Sequence, residues 1–115
     1  MADRVEIRIP DFIFNEGSAF TATANFRDRA TRAASVPTNA KWRLNCLSTD
    51  TTLVDWTDLT PAGEISISVP ASANEIQNED KQTELKQLTV QADRGLTTQT
   101  TGRVLYRVRN LKQVT

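Results

Sequence analysis

Strict alternation of apolar and polar residues recurs in short blocks along the chain, and a period of two fits a half-buried strand and no helix. Val5, Ile7 and Ile9 alternate with Arg4, Glu6 and Arg8; Phe20, Ala22, Ala24 and Phe26 with Thr21, Thr23 and Asn25. Trp42, Leu44 and Cys46 alternate with Lys41, Arg43 and Asn45; Ile65, Ile67 and Val69 with Glu64, Ser66 and Ser68; Val104, Tyr106 and Val108 with Arg103, Arg107 and Arg109. Sixteen threonines and only four glycines favour strands joined by polar turns in the same way.

Between these blocks the punctuation is clear. Pro10 stops the first strand, and residues 11–17, which mix aromatics with turn formers, suit a crossing from one sheet to another. Residues 29–37 lack a lasting period and read as a long exposed connection. Ser48–Asp50 is a turn, so the strand before it and Thr51–Trp56 form a hairpin with Trp42 at the core centre and Val54 and Trp56 on the buried face. After Pro70, Ser72 with Glu75 three residues on has the capping-box spacing and predicts one or two helical turns. Thr83–Asp93 is a strand whose apolar phase shifts between Leu85 and Leu88, Val90, Ala92, as a β-bulge would require. Asp93–Gly95 turns into a last strand, 97–110, with 111–115 as a tail.

Seven short strands with turns about every ten residues predict an all-β chain. The expected fold is a single Ig-like or fibronectin-III-like β-sandwich of about seven antiparallel strands over residues 1–115, with a barrel as the alternative. The segment 3–9 is expected to dock either on the body of the domain or, as an arm, on a neighbour.

Composition restricts the chemistry. With 115 residues, 38% hydrophobic, the chain has the material for one core. Fourteen basic and fourteen acidic side chains balance, so no net field steers it to nucleic acid or an anionic membrane. The absence of histidine removes the commonest general base and metal ligand, and the single Cys46 leaves no disulfide and no zinc spacing. Asp50, Asp55 and Asp58 flank a strand without the glycine and spacing of a calcium loop, and Gly17, Gly63, Gly95 and Gly102 make no phosphate cradle. The expectation is no enzyme, no cofactor and no metal. No apolar stretch has the form of a signal peptide or a membrane span, so synthesis and folding in a reducing cytoplasm are expected.

Two arginine groups stand out as a candidate protein interface: Arg27, Arg29 and Arg32 in the first long loop, and Arg103, Arg107 and Arg109 on the outer face of the last strand. The plainer alternative is a solvated face with cross-strand partners such as Glu6 or Glu84. No aromatics interleave these arginines as base stacking would need, which favours a protein partner.

Several segments, Phe20-Thr-Ala-Thr-Ala-Asn-Phe-Arg-Asp-Arg-Ala, Pro37-Thr-Asn-Ala-Lys-Trp-Arg-Leu, Val54-Asp-Trp-Thr, Leu88-Thr-Val-Gln-Ala-Asp and Tyr106-Arg-Val-Arg-Asn-Leu, resemble small virion-associated proteins of tailed bacteriophages. The resemblance spans most of residues 20–111. It implies a β-sandwich that decorates the capsid or sits at the head–tail junction, the tail or its fibres. The implied partners are other virion proteins (major capsid, portal or neck, or tail proteins), with the chain present in many copies or as a homo-oligomer. A host- or carbohydrate-binding module on a tail appendage, or a small inhibitor of a host enzyme, is the rival. The carbohydrate module needs an exposed aromatic platform, whereas both tryptophans and the one tyrosine fall at or near expected core positions.

Overall fold

Each alternating block becomes a strand in the computed structural model, which describes residues 4–78, 80, 82–93, 95, 96 and 99–111. The strands are β1 (Arg4–Arg8), β2 (Ile13–Asn15), β3 (Phe20–Arg27), β4 (Ala40–Cys46), β5 (Thr51–Leu59), β6 (Glu64–Val69), β7 (Thr83–Ala92) and β8 (Thr100–Arg109). They form a three-stranded sheet in the order β1-β3-β6 and a five-stranded sheet in the order β2-β8-β7-β4-β5. The chain is an Ig-like β-sandwich, as expected. The tail 112–115 and the start of the last strand at 97 and 98 lie outside the described residues.

The strand count exceeds the expected seven because of β2, and β2 runs parallel to β8 while every other pairing is antiparallel. Its existence follows from a local turn. Pro10 ends β1, the Asp11 carboxylate accepts the Phe12 N–H at 2.7 Å, and the Phe12 carbonyl accepts the Arg107 N–H at 2.8 Å. The chain therefore leaves one sheet and joins the edge of the other within a few residues, the crossing that the turn formers suggested. Phe14, carried inward by β2, stacks on Phe20 with centroids 4.5 Å apart, and both meet the Tyr106 ring edge-on. This trio joins β2, β3 and β8 across the sandwich.

The core is the inward half of each alternation. Phe20, Ala22, Ala24 and Phe26 of β3 and Ile65, Ile67 and Val69 of β6 face Trp42 and Leu44 of β4, Leu88, Val90 and Ala92 of β7, and Tyr106 and Val108 of β8. Each large side chain buried there stabilises by about 1.5–3 kcal/mol. Cys46 is a free thiol sealed in the interior, a small hydrophobe as expected. β1 reaches this core because β8 carries no side chain at Gly102: a Cβ there would meet Val5 Cγ1 at 3.0 Å and Ile7 Cδ1 at 3.4 Å. The N-terminal segment thus packs on its own domain.

Three local expectations are overturned. β7 has no bulge: its register with both β4 and β8 is unbroken, and Glu84 and Lys86 occupy the inward phase while Leu85 points outward. The bulges lie instead between β4 and β5, where the register shifts on either side of Leu44. The Ser72 capping box does not form; a 3₁₀ turn, Ala71–Asn74, starts at Pro70 with no side-chain cap. Trp56, expected inside with Val54, lies on the outer face with the Arg43 guanidinium 4.7 Å from its ring centroid.

Candidate docking faces

The two arginine groups do not come together: Arg103, Arg107 and Arg109 belong to the five-stranded sheet, whereas Arg27 ends β3 in the other. Register fixes what surrounds the first group. Across β8, β7 and β4, the outward rows are Arg109 beside Thr83, Arg107 beside Leu85, Leu105 beside Gln87 and Asn45, Arg103 beside Thr89 and Arg43, and Thr101 beside Gln91 and Lys41. β8, β7 and β4 thus contribute Lys41, Arg43, Arg103, Arg107 and Arg109 to this face and no carboxylate, while β5 at the edge sets Asp58 beside Lys41. The whole chain is neutral, so this is a strong local asymmetry.

The expected screening partners are placed elsewhere. Glu84 points into the core and Glu6 lies on the three-stranded sheet, so neither answers these arginines. None of Arg103, Arg107 and Arg109 lies within ion-pair distance of a carboxylate among the described residues. Leu105, Leu47 and Ile13 on the same side of the sandwich are each close to half exposed. Arg43 Nε, Asn45 Oδ1 and Gln91 Oε1, all on outward positions of β4 and β7, are buried side-chain atoms with no hydrogen-bond partner. Orphaned buried polar atoms are costly, and here they cluster on a single sheet face. That face combines cations with exposed leucines, the make-up of a protein interface.

The sequence pattern found part of this face and missed Lys41, Arg43 and Trp56. Alternation assigns Lys41 and Arg43 outward but does not say that β4 stands one strand away from the arginines of β8. Trp56 departs from the expected phase because one of the two register shifts in β5 falls between Val54 and Thr57; the adjacent apolar pair Leu53–Val54, which no single alternation accommodates, is the signal that the strand is irregular.

The second group is divided. The loop after β3 is exposed over 29–34, as expected, and its first part is a compact hairpin: Asp28 Oδ1 accepts the Ala30 and Thr31 N–H groups at 2.8 and 3.1 Å, and the Asp28 N–H reaches the Ala33 carbonyl at 2.9 Å. It returns Ala34 to a bridge with Arg27. Arg27 and Arg32 share a groove with Arg4 and Glu6, and Arg29 is exposed outside it.

The buried ionic groups are structural. Glu84 and Lys86 are fully buried; Glu84 accepts the Gln77 N–H at 2.7 Å and the Asn78 N–H at 2.8 Å, and the Lys86 ammonium donates to the Glu75 carbonyl at 2.9 Å. Beside them the Tyr106 hydroxyl donates to Asn74 Oδ1 at 2.6 Å, and the Asn74 amide donates to the Ser18 carbonyl at 2.6 Å. Burial pushes the Tyr106 hydroxyl far above its ordinary pKa, with a smaller push from Cys46. Every one of these groups is spent on holding the segment between β6 and β7 to the core, so none is free to act on a substrate. Asp55 accepts its neighbour's backbone N–H and Asp58 pairs in register with Lys41; among the described residues no cluster of three acidic or cysteine side chains could hold a metal ion.

A scan of protein-family models finds no match for the chain, and a search of curated proteins finds none either. Among solved structures it is similar to the PKD domain of an M14-like peptidase from a Thermoplasmatales archaeon, at 13% identity and a TM-score of 0.50, covering 91% of this chain and 92% of that one. The likeness is one of fold. At such identity it supports the Ig-like sandwich and carries nothing of the peptidase to this chain.

Proposed function

We propose that the protein is a non-enzymatic structural component of a tailed-phage virion, a capsid decoration or head–tail neck protein, that binds an acidic surface on another virion protein through the outer face of its five-stranded sheet. The observation that carries the docking role is the set of five cations on β4 and β8 of that face, with Asp58 of β5 beside Lys41 and no carboxylate in the rows around the arginines of β8, in a chain of zero net charge. The virion assignment is supported by the resemblance of residues 20–111. Weak contacts suffice if the particle repeats them, because symmetry multiplies a modest affinity. Mass spectrometry of purified particles tests the assignment: a copy number matching the capsid lattice supports decoration, one matching a single ring supports a neck protein, and absence refutes it. Replacing Arg103 and Arg107 with glutamate should abolish incorporation while leaving the domain folded, since both side chains are exposed.

A saccharide-binding module on a tail appendage is the second reading, favoured by the outward position of Trp56 against Lys41 and Arg43. A sugar stacking there would displace the Arg43 guanidinium and change the tryptophan fluorescence. A host-glycan screen without such a change excludes it.

A further inference from the structure

Arg4 and Arg27 are direct cross-strand partners in the β1–β3 register, so two like charges face each other on neighbouring strands, an arrangement that repulsion opposes. One carboxylate serves both: Glu6 stands 3.1 Å from Arg4 and 3.7 Å from Arg27. The following hairpin brings a third cation to the groove, Arg32, while its own carboxylate, Asp28, is turned to the Ala30 and Thr31 N–H groups. Arg32 has φ 61°, a left-handed conformation uncommon for a residue with a side chain, and its N–H is held by the Asp28 carbonyl at 2.7 Å. Its own carbonyl receives the Arg27 guanidinium at 3.0 Å. Arg4, Glu6, Arg27 and Arg32 together line an open groove of about 340 Å³.

Among the residues that line the groove, three guanidinium groups face one carboxylate, which leaves the groove itself net positive. Each guanidinium carries five N–H donors in a planar fork that matches an oxyanion, and Glu6 with one carbonyl occupies only a few of them. Backbone strain that persists is held by its surroundings and gathers at binding sites. Here the strained residue is the one that completes the cationic rim.

We propose that this groove is a binding site for a multivalent oxyanion, either a phosphate or clustered carboxylates. It lies on the opposite sheet from the proposed virion-docking face and does not depend on it. Glu6 acts in it as a resident competitor that offsets Arg4 and Arg27 until an outside anion arrives.

The test is calorimetric titration of the full chain, at low ionic strength, with inorganic phosphate and separately with citrate. Amide chemical shifts across 28–33 locate the site. Saturable binding at one site is expected, weakened about tenfold or more by Arg32→Gln, as loss of a charge-assisted bidentate contact implies. Arg8→Gln, which removes the same charge further along the same strand, should change affinity by less than about twofold because screening shortens the reach of an exposed charge. Glu6→Gln should tighten anion binding, a sign that a purely structural role for Glu6 would not produce and that remains readable if Arg32→Gln fails to fold. A preference for phosphate or for citrate names the source of the oxyanion. Titrations that do not saturate, equal losses at Arg8 and Arg32, or weaker binding in Glu6→Gln overturn the proposal.

Discussion

Lys86→Met should destabilise this domain more than any surface change, although methionine nearly matches the buried length and volume of lysine. Glu84 and Lys86 are both fully buried, 3.6 Å apart. Removing the ammonium leaves the Glu84 carboxylate in the interior with only the Gln77 and Asn78 N–H groups, and leaves the Glu75 carbonyl without its donor. Breaking one side of a buried pair costs about 3–5 kcal/mol, a large part of the roughly 5–15 kcal/mol that holds a domain folded. With a urea slope of about 2 kcal/mol per molar, the midpoint should fall by about 2 M. Glu84→Gln should cost a similar amount, because it buries an ammonium without a counter-charge. The double variant removes both charges and should recover much of the loss, with a coupling energy of about 2–3 kcal/mol in the cycle. Urea unfolding followed by tryptophan fluorescence measures all four proteins. A Lys86→Met midpoint within error of the parent, or strict additivity, would refute the claim that the pair clasps the segment between β6 and β7.

Tyr106→Phe leaves the buried Asn74 Oδ1 without its donor and should lose about 1–3 kcal/mol in the same assay. Because burial raises the Tyr106 pKa above its ordinary 10.0, the folded state holds that proton more tightly than the unfolded chain. Its contribution is complete below that value and drains away as pH rises past it, so the parent should lose stability more steeply above about pH 10 than Tyr106→Phe. As this is the one tyrosine, phenolate absorbance should appear only with unfolding. Gly102→Val should push β1 off β8 at a cost of about 1–3 kcal/mol, seen as faster amide exchange in β1. Ser72→Ala should leave the urea midpoint unchanged within about 0.5 kcal/mol, since its hydroxyl caps nothing.

The alternating blocks and the turns between them determined the class of fold, every described strand except β2 and most of the core, because a period of two reports directly which half of a strand is buried. Trp42, Cys46 and Tyr106 are inside for that reason alone. Tertiary structure decided what alternation cannot carry. Hydropathy treats charged side chains as solvated, so Glu84 and Lys86 in the inward phase looked like a bulge, and only their mutual pairing and the backbone groups of residues 75–78 make that burial tolerable. Trp56 is outside because the register shift between Val54 and Thr57 reverses its phase relative to Val54. The functional faces depend on neighbours distant in sequence. Arg43 joins Arg103 through a strand between them, and Arg4 opposes Arg27 through the β1–β3 register. Which charges share a surface is a property of strand order, and strand order is fixed by packing two sheets around one core rather than by any single segment.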